Sequence, residues 1–168
     1  MNSDIHFILT GGTIDSVFSP KQDAIVVNDH SVILDYIHSV IQPHVAMTAE
    51  TLTLKDSRDI TDNIREEIIA SIKKCDAHSI VITHGTYTMP ETARYLRASM
   101  PDIDKAVVLT GSMLPIKGFS ESDATYNLGY AIAASQFLKP GIYLAMNSHI
   151  FDPEKVTKDT EKAVFVDS

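Results

Sequence analysis

Cysteine is nearly absent: Cys75 is the only one in 168 residues, so no disulfide can form within the chain. Long apolar runs are missing too. None reaches the roughly 18 residues that a membrane-spanning helix needs, so no membrane partner is expected. The N-terminus, Met1-Asn2-Ser3-Asp4, carries no basic stretch ahead of an apolar one, and no signal peptide is read there. Together these absences point to the cytoplasm. Positive charge is also scarce, with 14 Lys and Arg against 22 Asp and Glu and a formal net charge of −8. Nucleic-acid binders gather Lys and Arg on one face. Here they are thinly spread, and the densest groups, Lys73-Lys74 and Arg94 with Arg97, read as solvated helix faces. Nucleic acid is therefore not an expected partner.

Several chemistries lack their motifs. No G-x-x-x-x-G-K-[ST] is present, so a P-loop is excluded. No G-x-G-x-x-G follows the first strand, and no G-x-S-x-G forms a nucleophile elbow. None of the seven histidines forms H-x-x-x-H or joins a cysteine cluster, so no metal site is expected. His84, beside Gly85, reads as a packed or hydrogen-bonded residue rather than a ligand.

What is present is an alternation of short β-branched runs with amphipathic segments, and no internal repeat. That pattern predicts βαβ units and a mainly parallel sheet. Strands are predicted over 5–9, 45–54, 79–83, 106–109 and 142–146. Helices are predicted over 31–41, capped by Ser31 with Ile33, Ile37, Val40 and Ile41 on one face, and over 60–75, with Ile64, Ile68 and Ile72 on one stripe. Two more are predicted from about 89 and over 122–138. Thr88 and Glu91 have capping-box spacing, and Pro90 falls in the first turn, where a missing N–H is harmless. Pro140-Gly141 is a breaker. The tail, 151–168, is polar with a short apolar run over 163–166. The expected fold class is α/β: a single doubly wound, flavodoxin- or Rossmann-like sheet with helices on both faces.

Ligands in such sheets bind beyond the carboxyl ends of the strands. Small polar residues collect there: Thr10-Gly11-Gly12-Thr13, Asp56-Ser57-Arg58-Asp59, Thr83-His84-Gly85-Thr86-Tyr87-Thr88 and Thr110-Gly111-Ser112. Any one of these loops is accounted for by helix caps and turns. Four at one sheet edge point to a site.

These residues also resemble a family. Ile8-Leu9-Thr10-Gly11-Gly12-Thr13-Ile14 is similar to the first signature of the L-asparaginases. Val81-Ile82-Thr83-His84-Gly85-Thr86-Tyr87-Thr88-Met89-Pro90-Glu91-Thr92 is similar to their second. The resemblance continues through Val107 to Met113, Asp123 to Leu128 and Val156-Thr157-Lys158, in order along essentially the whole chain. It matches the N-terminal, catalytic-type domain of a family whose usual members have two domains. The expectation is one domain over 1–168 with the family's C-terminal domain absent, as in short-chain members.

The resemblance implies hydrolysis of L-asparagine to L-aspartate and ammonia, with no metal or organic cofactor and with assembly into homodimers or homotetramers. It assigns the nucleophile to Thr13, and the second hydroxyl and amine of the relay to Thr86 and Lys158. It assigns substrate binding to Gly12, Ser57, Gly85 and Thr86, with Ser57 on the α-carboxylate. A threonine hydroxyl needs such a relay because it is a weak nucleophile. Two positions depart from the pattern. Tyr87 stands where the family's T-D-T has an aspartate, which joins the relay and holds the substrate's α-ammonium. Arg58, read as a further substrate-binding residue, stands where glutamine or another polar residue is common; arginine favours carboxylates and would repel an ammonium. Asp59 reads either as a partner of Arg58 or as a carboxylate at a helix N-terminus. No tyrosine lies in 15–27, where the family often carries a lid tyrosine, so Tyr87 is read as taking over part of that role. The rival readings are an amidohydrolase for an amide lacking a free α-amino group, and an amino-acid-binding domain without turnover.

Overall fold

The computed structural model describes residues 4–118 and 121–168. In chain order the elements are β1 (Ile5–Gly11), β2 (Ser16–Ser19), β3 (Ala24–Val27), α1 (Ile33–Tyr36), β4 (Met47–Lys55), α2 (Asp62–Lys74), β5 (Ser79–Thr83), α3 (Met89–Ser99), β6 (Ala106–Thr110), α4 (Ala124–Phe137), β7 (Gly141–Met146), β8 (His149–Phe151), β9 (Val156–Asp159) and β10 (Val164–Asp167). Six strands form one sheet in the order β4-β1-β5-β6-β7-β8. Its first five strands are parallel and β8 runs antiparallel to β7. Among the described residues, no helix is long and apolar enough to cross a membrane.

The β-branched runs fill both faces, as a sheet covered on both sides requires. In β5, Ile80 and Ile82 turn to one core and Val81 to the other; in β6, Val107 and Leu109 oppose Val108. The first core takes the Ile64–Ile68–Ile72 stripe of α2 with Ala93 and Leu96 of α3. The second takes Ile33 of α1 with Leu128 and Ala131 of α4. The doubly wound architecture follows from these two cores. Each fully buried isoleucine contributes about 1.5–3 kcal/mol.

Register sets the site. Leu9 of β1 lies level with Thr83 of β5, which lies level with Thr110 of β6. The loops that follow leave the same sheet edge side by side. β4 supplies the fourth loop, and the Gly12 N–H donates to Lys55 O at 2.9 Å.

Three local expectations are corrected. The 31–41 helix is α-helical only over Ile33–Tyr36 and continues as a π-turn over Ile37–Ile41. That wider turn rotates Val40 and Ile41 away from the core, leaving them 61% and 52% exposed. Val32 is the N-cap, while Ser31 Oγ accepts from Ile33 N–H at 3.2 Å and donates to the Asp15 carboxylate. Thr88 caps no N–H of α3, so the capping box does not form; its hydroxyl donates to Ser57 O at 2.6 Å and ties two site loops together. The stretch after Thr13 is a β2–β3 hairpin, and the polar tail folds into the β9–β10 hairpin. In that tail Val156 and Phe165 are buried against the α3 core.

Candidate active site

β1 ends in two glycines at positive φ, 90° for Gly11 and 82° for Gly12. At Gly12 a Cβ would lie 2.4 Å from the Gly85 Cα, so only glycine lets these two loops touch. A 3-10 turn over Thr13–Asp15 follows. Its end is fixed by buried Asp15, whose carboxylate accepts from Val32 N–H at 2.8 Å and from Ser31 Oγ; burial pushes that carboxyl's pKa up. Thr13 is thus held at the mouth of the loop. Among the described residues its hydroxyl has no hydrogen-bond partner. At Gly85 a Cβ would lie 2.7 Å from Ser57 Cβ, so the β4 and β5 loops are also in direct contact.

Thr86 is buried beside this junction. Its hydroxyl accepts from Lys158 Nζ at 2.7 Å and donates toward Met113 Sδ at 3.7 Å. The lysine arrives from β9, where alternation puts it on the same strand face as buried Val156. Burial lowers its pKa below the ordinary lysine value of 10.5. Tyr87 is 55% exposed, with Lys158 Nζ 5.8 Å and Arg58 Cζ 5.6 Å from its ring centroid.

Arg58 pairs with Asp56, not with Asp59 as the sequence allowed. Its Nε lies 2.9 Å from Asp56 Oδ1 and its terminal nitrogen 3.1 Å from Oδ2. Asp56 caps the 3-10 turn over Ser57–Asp59, and Oδ1 also accepts the Arg58 backbone N–H. The side-chain bond to Arg58 holds the Asp56 carboxyl below its usual pKa. An aspartate accepting the N–H two residues on is an Asx-turn, which was the readable signal for this pairing.

One pocket of about 160 Å³ gathers Gly12, Thr13, Ser57, Arg58, Gly85, Thr86, Tyr87 and Lys158, all singled out from sequence, together with Asp56. Other strand-end hydroxyls are structural. Thr10 donates to Thr83 O at 2.7 Å, Thr110 to Ala145 O at 2.9 Å, and Ser112 to Leu114 O. His84 is fully buried; burial lowers its pKa to about 4, so the ring is neutral at pH 7 and its Nδ1–H donates to Gly85 O at 2.8 Å. The third loop is steadied from α4. Asp123 accepts the N–H groups of Met113 and Leu114, and Asn127 donates to Gly111 O. Sequence reading did not assign roles to Met113, Asp123 or Asn127. A larger hollow of about 450 Å³ lies at the opposite end of the strands. There His6, Thr48, Glu50 and Ser71 already bond to one another.

The sequence profile of the asparaginase N-terminal domain matches residues 4–165. The chain belongs to the asparaginase family. It is 30% identical over 167 residues to the glutaminase-asparaginase of Acinetobacter glutaminasificans, covering 93% of this chain and 50% of that protein. The thermostable L-asparaginase from Thermococcus kodakarensis superposes with a TM-score of 0.82 at 29% identity, covering 98% of this chain and 51% of that one. A probable cytoplasmic L-asparaginase from Campylobacter jejuni gives 0.77 at 30% identity over 92% of this chain and 48% of that one. The asparaginase-family chain therefore spans about half the length of these relatives.

Proposed function

We propose that the chain hydrolyses L-asparagine to L-aspartate and ammonia with Thr13 as nucleophile. The observation that carries this reading is the 2.7 Å Lys158–Thr86 contact in the same small pocket as a Thr13 hydroxyl that has no hydrogen-bond partner among the described residues. In this mechanism the Thr13 oxygen attacks the side-chain carbonyl, and its proton passes to the Thr86–Lys158 relay. Backbone N–H groups near Thr86 stabilise the oxyanion. Collapse breaks the C–N bond, the relay returns the proton to the leaving nitrogen, and ammonia departs. Water then cleaves the Thr13 ester and releases aspartate. Ser57 receives the α-carboxylate, Gly12 and Gly85 let the loops close around the amide, and Arg58 adds positive potential. No organic cofactor or metal enters the scheme.

The test is ammonia release from L-asparagine by the purified chain. Turnover supports the reading. A folded protein that binds L-aspartate but releases no ammonia would instead be an amino-acid-binding domain. In the same assay Tyr87→Phe, which keeps the ring and removes the phenol, is expected to lower kcat/KM by about tenfold, the size of one hydrogen bond from that phenol to the bound amide. Full activity would remove Tyr87 from the site's chemistry. Cytoplasmic location and assembly as a homodimer or homotetramer belong to the same proposal. The single cysteine supports the former. An α4 with no charged residue and an 87% exposed Phe137 supports the latter.

A further inference from the structure

We infer that this pocket selects small amides that carry a carboxylate but no free α-amino group, the ω-monoamides of dicarboxylic acids, over L-asparagine itself. The inference rests on the amide-hydrolysis reading of the same site. It comes from the charges that face the ligand. Asp56 is the only carboxylate among the described residues that line the pocket, and both of its oxygens are held by Arg58. Among the described residues no lining carboxylate is left without a counter-charge for an ammonium group. The remaining charges are positive: Arg58 and Lys158, both over the Tyr87 ring within 6 Å. The face of Tyr87, which also attracts a cation, already has two of them within 6 Å.

A carboxylate meets the opposite situation. A guanidinium has five N–H donors in a planar fork. Two are engaged with Asp56, which leaves three for a ligand carboxylate. The pocket's volume of about 160 Å³ suits a four-carbon monoamide rather than a long chain. An α-ammonium therefore brings repulsion and desolvation without an unpaired carboxylate to offset them.

The experiment compares succinamate with L-asparagine in two readouts. The first is kcat/KM for ammonia release by the native chain. The second is the Kd of each amide for Thr13→Ala by calorimetry, which reads recognition without chemistry. Succinamate is expected to be favoured by about tenfold in both, the penalty of an unpaired like charge in a shared pocket. Arg58→Gln frees the Asp56 carboxylate and is expected to move the ratio about tenfold toward L-asparagine; Arg58 is exposed, so this variant folds. If Thr13→Ala binds succinamate more tightly but the native chain turns over neither amide, the selectivity stands and the hydrolytic reading falls. If L-asparagine is bound and hydrolysed as well as or better than succinamate, the selectivity falls and hydrolysis stands. An Arg58→Gln ratio equal to that of the native chain also overturns the selectivity, and failure of both ligands to bind overturns both.

Discussion

Thr13→Ala is expected to lower kcat for L-asparagine by about ten-thousand-fold and to leave KM within about threefold. The asymmetry follows from geometry. The Thr13 hydroxyl has no hydrogen-bond partner among the described residues, so its removal leaves no buried group unsatisfied. The turn that carries it is held by backbone and by Asp15, which alanine leaves in place. Binding groups survive while the attacking atom is gone. Thr13→Ser, which keeps a hydroxyl, should retain far more activity than alanine. Steady-state kinetics beside a thermal melt checks this. An alanine variant with more than about a tenth of native kcat would remove Thr13 from the reaction.

Lys158→Met should cost about a hundred- to ten-thousand-fold in kcat, the range of a lost acid–base partner. Methionine keeps the stem's packing and removes only the amine. The more specific result is the pH profile. Burial disfavours the charged ammonium, so the pKa of Lys158 lies below 10.5. A relay that takes up the Thr13 proton needs the neutral amine, so native activity should rise with pH through that depressed pKa. The rise should be absent from Lys158→Met. A variant that loses activity yet keeps the native rise would make Lys158 a purely structural partner of Thr86.

The sheet was legible because its strands are short β-branched runs with Ile and Val alternating between two cores, and glycines or prolines stop them. The convergence of the four loops was legible for the same reason, since parallel strands in register end at one edge. Helix α1 was misjudged because a one-residue widening of the turn is invisible to a 3.6-residue period, and it turned Val40 and Ile41 outward. Thr88 matched the capping box in spacing, but the Ser57 carbonyl, 31 residues away in sequence, captured its hydroxyl. Local patterns do not see such long-range competitors. Arg58 found Asp56 rather than Asp59 because a 3-10 turn places the cap residue beneath the guanidinium. The hydroxyls of Thr10, Thr110 and Ser112 looked like site groups, and backbone carbonyls claimed them. Tyr87 is the residue where sequence and geometry agree most usefully: it departs from the family pattern, and its ring lies within 6 Å of both cations of the pocket.

A covalent ester on Thr13 would be caught by rapid acid quenching of the native chain during turnover of L-asparagine, followed by peptide mass spectrometry. An aspartyl adduct is expected on the peptide that contains Thr13, present during turnover and absent from Thr13→Ala. An adduct on a different residue, or ammonia release that persists in Thr13→Ala, would contradict it.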